Sequence, residues 1–241
     1  MAATPEQSYV VLRHYWCPAS SLTYERSLTI SGESISDTVY SRLRRDMVRC
    51  TADFCQWRER IDLIKPVCNN RLLAHFYKGK DALCTYNLFG QNYSEVPFCS
   101  NVKYDSAFPE SQRDAIRCMP LLVPYGPVQR GFKWSINDSG DFLEFELLKQ
   151  IATNNEDVVV VRSIGHLTTS WVLCDTKRRF TQVNVSLERT GLVTLAPHGS
   201  LILENTTVDK VVTIGENQRG LHQYFDDLHI TEHWALKHSN L

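Results

Sequence analysis

Hydrophobic and polar residues alternate most clearly between Gly131 and His166. Phe132, Trp134 and Ile136 are separated by Lys133 and Ser135, the period of a strand with one buried face. Asn137-Asp138-Ser139-Gly140 then turns the chain, because Asn and Asp bond their own backbone and Gly tolerates positive φ. Phe142, Leu143, Phe145, Leu147 and Leu148 follow, which predicts a hairpin. A polar bend at Asn154-Asn155-Glu156-Asp157 leads into Val158, Val159, Val160 and Val161. Such a β-branched run suits a strand covered on both faces. Three consecutive antiparallel strands are expected here, forming the middle of a sheet.

The same two periods sort the rest of the chain. Residues 9–16 and 22–30 flank the turn-forming run Cys17-Pro18-Ala19-Ser20 and predict an opening hairpin. Gly32 ends that pattern. Ser34 or Ser36 can then cap a helix in which Val39, Leu43 and Met47 recur at i, i+4 and i+8. Arg42, Arg44, Arg45 and Arg49 lie mainly off that stripe and read as its solvated face, with binding of phosphate or an acidic partner as the other use. Phe54, Trp57, Ile61 and Ile64 continue at helical spacing until Pro66 stops them. Residues 72–77 and 82–88 bracket Lys78-Gly79-Lys80-Asp81, a second hairpin signal. Residues 89–112 are polar, irregular and tyrosine-bearing; loops of that length are usually functional or held by a partner. Residues 115–123 read as an apolar strand, and shorter strands are expected over 168–174, 180–187, 192–195, 201–203 and 210–214. Leu221, Tyr224, Phe225, Leu228 and Trp234 suggest a closing amphipathic helix. The expected fold is a β-rich α+β domain over residues 1–241, an antiparallel β-sandwich with two or three attached helices.

Charge and cysteine usage change this picture only at its edges. The net charge of −1, with no block of like charge, argues against dedicated nucleic-acid binding. Seventeen arginines against nine lysines hint at ordered, bidentate contacts between proteins. No run approaches about 18 apolar residues, the length of a membrane span. The first residues lack the basic start and apolar stretch of a signal peptide, so a cytosolic product is expected. The sequons at Asn92, Asn137, Asn184 and Asn205 then read as chance matches. Eight cysteines stand at positions 17, 50, 55, 68, 84, 99, 118 and 174. A chain this rich in core residues does not need a disulfide scaffold, and Cys50 and Cys55 have no second pair with which to hold zinc. Buried free thiols are expected, with crosslinks between copies as the other use.

Candidate chemistry is sparse. No GxxxxGK[ST], GxGxxG or GxSxG motif is present. His222, His229 and His233 fall near one face of the expected last helix, with Glu232 adjacent. A metal needs at least three ligands in fixed geometry, and a partly exposed helix surface accounts for the same residues. Cys17 beside His14, or a distant Cys with His166 or His198, would make a thiol nucleophile with its base. Eight Cys and eight His guarantee such pairings on paper, so no catalytic residue and no metal is assigned.

Four stretches resemble the cypovirus polyhedrins, the crystal-forming occlusion proteins of insect reoviruses. They are Gly131-Phe132-Lys133-Trp134, the turn closing at Gly140, Phe145-Glu146-Leu147, and Ser163-Ile164-Gly165-His166, in the family's order and near its spacing. The opening hairpin followed by Ser31-Gly32-Glu33-Ser34-Ile35-Ser36, and the end His233-Trp234-Ala235-Leu236, are similar too. The likeness touches about half of the 241 residues. It departs where the family carries a long N-terminal helical arm, since the first strand here is expected near Tyr9.

The resemblance implies a structural protein, not an enzyme. Such a protein forms trimers and packs them into occlusion bodies around virions in the host cytoplasm, dissolving in alkali. Some family members hold nucleotides between subunits, but no residue here matches those sites and no cofactor is assigned. Tyr, Cys and Lys titrate at or below roughly pH 10.5, whereas Arg does not, so a near-neutral lattice would turn anionic in alkali. Tyr93, Tyr104 and Tyr125 are the candidate lattice and alkaline-release residues. Two other classes fit the same residues: a viral hydrolase or protease using a Cys–His pair, and a β-sandwich capsid or adaptor module that binds another protein.

Overall fold

A computed structural model describes residues 9–12, 20–33, 35–63, 80–87, 92–97, 123–124, 126–138, 141–153, 156–174, 180–196, 201–214 and 227–240. They form two antiparallel sheets. One meander comprises β2 (Ser21–Gly32), β3 (Ile35–Cys50), β4 (Phe54–Leu63), β5 (Lys80–Asn87) and β6 (Asn92–Pro97). A second comprises β8 (Lys133–Asp138), β9 (Asp141–Thr153), β10 (Glu156–Cys174), β11 (Phe180–Leu195), β12 (Ile202–Ile214) and β13 (His229–Asn240). They join into one sheet of eleven strands, in the order β6-β5-β4-β3-β2-β13-β12-β11-β10-β9-β8. The join is β13 on β2, the one pairing in that sheet between strands distant in sequence, with Ile230 opposite Ile30 and Trp234 opposite Arg26. The small sheet pairs β1 (Val10–Val11) with β7 (Pro127–Val128).

The central hairpin and its third strand are present as β8, β9 and β10, with Trp134 opposite Phe145 and Phe145 opposite Ser163. They lie at one end of the sheet, not in its middle, and β8 is an edge. Val159 and Val161 are buried while Val158 and Val160 are half-buried, so the valine run has one core face. Gly165 has a close-packing role: a Cβ there would overlap the Phe142 carbonyl oxygen on β9. Several short strands expected from the sequence merge into long ones; 168–174 continues β10, and 201–203 with 210–214 forms β12.

The described parts of the expected helices are strands. Residues 35–50 form β3, 54–63 form β4, and 229–240 form β13; residues 221–226 lie outside the described set. In β3 the buried residues are Val39, Ser41, Leu43 and Arg45, a period of two. Val39 and Leu43 share a face in either structure, because a spacing of four is even and also near one helical turn. Ser41 and Arg45 fill the intervening core positions and mask the alternation. Glu59 does the same in β4, and Glu232 in β13.

One face of the large sheet is turned inward. At one end, Val10, Leu12, Val123 and Val128 pack over Phe145, Leu147, Val159, Val161, Val193, Leu195 and Ile202, so the small sheet seals β9 to β12. At the other, Leu22, Tyr24, Leu43, Cys55, Trp57, Cys84, Tyr86 and Trp234 form a second cluster.

Candidate functional site

Charge crosses the inner face along a diagonal. Successive same-face rows of the sheet place Arg189 opposite Asp209, Thr207 opposite Glu232, Arg26 opposite Ser41, and Arg45 opposite Glu59. Two buried Arg–carboxylate pairs and one part-buried pair, Arg189–Asp209, result, where a charge must be matched to be tolerated. Arg189 Nε and Nη2 each meet one oxygen of Asp209 at 2.6 Å, a bidentate fork. Arg26 Nε pairs with Glu232 Oε1, and the guanidinium lies 5.0 Å from the Trp234 ring centre. Arg45 donates to Glu59 Oε1 from Nε at 2.7 Å and from Nη2 at 2.5 Å.

The Arg45–Glu59 pair is the most enclosed. Tyr86 donates its hydroxyl to Glu59 Oε1 at 2.8 Å, and the Cys84 thiol donates to Oε2 at 3.5 Å. Arg45 also faces the rings of Tyr86 at 5.2 Å and Trp57 at 5.7 Å, so cation–π attraction adds to the ion pair. Burial works against the Arg45 charge, but Glu59 and the neighbouring phenols outweigh it and hold the guanidinium protonated. Tyr24 donates its hydroxyl to the Ile202 carbonyl at 3.1 Å. Its phenol is pushed up to about 12, chiefly by burial, with Arg45 opposing and Glu59 adding. Burial, then Glu59, likewise raises the Tyr86 phenol well above its ordinary value. Arginine cannot exchange protons near neutrality, so Arg45 holds β3 to β4 through a permanent charge set against Glu59.

The outer face is chemically the reverse. Phe142 stands opposite His166 and one same-face step from Ile164, and Ile164 stands opposite Thr190, one such step from Leu192. Phe142, Ile164 and Leu192 thus form a diagonal apolar stripe across β9, β10 and β11, each 39–46% exposed. Paired charges rim it: Arg162 with Glu146, and Lys133 Nζ with Glu144 Oε1 at 3.1 Å. Asp46 anchors a second outer group, accepting from Ser21 Oγ at 2.7 Å, Arg44 Nε at 3.0 Å and Arg60 Nη2 at 3.2 Å. Partial burial opposes its charge, but these donors outweigh it and lower the carboxyl.

Residues singled out in the sequence scatter. Tyr104 and Tyr125 lie outside the described residues; Tyr93 falls in β6, with its side chain outside them. His14, Cys17, His198 and His222 are also outside. His166 Nε2 meets Ser186 Oγ at 2.8 Å on the outer face. His229 Nδ1 meets the Asp227 carbonyl at 2.9 Å, and His233 Nδ1 meets Thr206 Oγ1 at 2.9 Å. On a strand, Glu232 faces inward, opposite to both histidines, so the expected helical grouping does not form. Among the described residues no cluster of three or more His, Cys, Asp or Glu could hold a metal. None of the paired residues is identified from the sequence: Arg45, expected on a solvated face, is buried, and the one signal available is Arg26, a charge on the apolar parity of Leu22, Tyr24, Leu28 and Ile30.

No family model matches the chain, and neither does any curated protein. Among solved structures it is similar to one described as lipid–protein interactions in lipovitellin, with a TM-score of 0.48 and 11% identity. That match covers 94% of this chain and 26% of the other, so the chain spans about a quarter of that protein's length.

Proposed function

We propose that this chain is a structural protein that assembles with further copies of itself through the outer face of its large sheet. The observation that carries this reading is the Phe142–Ile164–Leu192 stripe. An apolar centre ringed by polar groups has the anatomy of a protein interface. The rim carries both signs, Arg162 and Lys133 beside Glu146 and Glu144, so the patch is complementary to itself in charge. Self-complementarity suits a contact between two equivalent surfaces, of the kind that extends small oligomers into arrays. The net charge of −1 leaves little long-range repulsion to oppose it.

The specific form of this role is the one the polyhedrin resemblance implies: trimers packed into an occlusion-body lattice around virions and released in alkali. Tyr24 and Tyr86 contribute nothing to release below about pH 10, because burial keeps both phenols neutral. Release then falls to groups at contacts, with Tyr93, Tyr104 and Tyr125 as its candidates. Static light scattering of the full chain across a concentration series at neutral pH tests the reading. Mean mass is expected to rise with concentration. A mass fixed at one chain throughout would refute self-assembly and leave an adaptor module that binds a different protein.

A further inference from the structure

Cys50 and Cys55 are the last and second residues of adjoining strands, directly opposite one another at the tip of the β3–β4 hairpin. Thr51 fixes the turn between them. Its N–H donates to the Phe54 carbonyl at 2.9 Å, and its Oγ1 accepts from the N–H groups of Asp53 at 3.3 Å and Phe54 at 3.2 Å. Thr51 and Phe54 close the hairpin as a hydrogen-bonded pair, so Cys50 and Cys55 form the next, non-hydrogen-bonded pair. That is the rung at which opposed side chains come closest. The two sulfurs stand 2.6 Å apart, nearer than unbonded thiols pack and a short step from the ~2.05 Å of a disulfide. Both side chains belong to the inner-face cluster that includes Trp57, Cys84 and Tyr86.

We propose that Cys50 and Cys55 form a reversible cross-strand disulfide, made by thiol–disulfide exchange with a small-molecule disulfide of the glutathione class. Cys50 is half-exposed and Cys55 is fully buried, which orders the steps. The Cys50 thiolate attacks one sulfur of oxidised glutathione; that S–S bond breaks, and one glutathione leaves as a thiol. Cys55 then gives its proton to solvent and attacks the Cys50 sulfur, expelling the second glutathione. Two protein thiols and one glutathione disulfide become one protein disulfide and two glutathione thiols. Burial, and then the neighbouring Cys50, raises the Cys55 thiol well above the ordinary range. The second step is therefore the slow one and quickens with rising pH. The bond would staple the hairpin that carries Arg45 and Glu59, and it does not depend on self-assembly.

Trypsin provides a direct readout, because cleavage after Arg49 and Arg58 releases both cysteines in one peptide, residues 50–58. The full chain is equilibrated with a ladder of oxidised-to-reduced glutathione ratios, quenched with an alkylating agent and mapped by mass spectrometry. The 50–58 peptide is expected to pass from doubly alkylated to unalkylated and lighter by two hydrogens. Cys55→Ser is expected to stop at the glutathione adduct on Cys50. Persistence of two alkylated thiols at every ratio in the wild-type chain would overturn the proposal. So would a stable glutathione adduct on wild-type Cys50, or a crosslink from Cys50 to Cys84.

Discussion

Beneath β1 and β7 the inner face is closed by Val, Leu, Ile and Phe, whereas between β13 and β5 the same face carries Arg26, Arg45, Glu59 and Glu232 among its aromatics. Apolar burial is non-directional, so the first region gains stability without specifying which side chain meets which. A buried ion pair does the opposite. Its desolvation cost cancels much of its attraction, but each charge tolerates only one partner. Arg26–Glu232 bridges β2 and β13, the join between the two meanders, where no hairpin turn sets the register. A slip of one residue would turn Arg26 outward and leave Glu232 alone inside. At this join the matched charges fix a register that no turn sets, whereas Arg45–Glu59 reinforces a hairpin that its own turn already aligns.

The sharpest break in this comparison is Glu59→Leu. It leaves Arg45 buried and unmatched and is expected to cost ~3–5 kcal/mol in chemical denaturation. Arg45→Met and Glu59→Leu combined with Tyr86→Phe is expected to recover most of that loss, since it removes both buried charges and the hydroxyl that would lose its acceptor. Leu147→Ala, in the apolar region, is expected to cost about 2–5 kcal/mol through its cavity, with no second substitution of this charge-cancelling kind to restore it. If Glu59→Leu alone proved neutral, Arg45 would not need its partner and the contrast between the two regions would fail.

A smaller effect separates the two regions by pH. The Tyr24 phenol is held up to about 12, so the fold binds its proton more tightly than the unfolded chain, which releases it near pH 10. The stability linked to Tyr24 is full below about pH 10 and is lost as pH rises through about 12. Denaturant midpoints measured across that window should fall, and Tyr24→Phe should flatten the fall. An equal slope in both proteins would remove Tyr24 from the alkaline response.

This division also explains what could be read from the chain. The hairpin of β8 and β9 is legible because no charge enters its inward positions, Trp134, Ile136, Leu143, Phe145 and Leu147; the valines of β10 mark a strand by their β-branching but do not reveal that only one of its faces is core. β3, β4 and β13 carry the spacing of helices because Arg45, Glu59 and Glu232 occupy inward positions and hide the period of two. The partners of these charges are set by register across strands, and Arg26 and Glu232 come from opposite ends of the chain, so local pattern holds no trace of the pairing. The outer stripe was hidden for the converse reason. Phe142 and Leu143 are adjacent and both apolar, and only the sheet decides which of them faces outward.

The role assigned to that outer face is tested most directly by Ile164→Asp, at the centre of the stripe and on the face of the sheet opposite the Arg–carboxylate pairs. Sedimentation velocity at neutral pH should find the wild-type chain assembling with concentration and the variant, folded by circular dichroism, remaining monomeric. Equal assembly by both proteins would contradict the account.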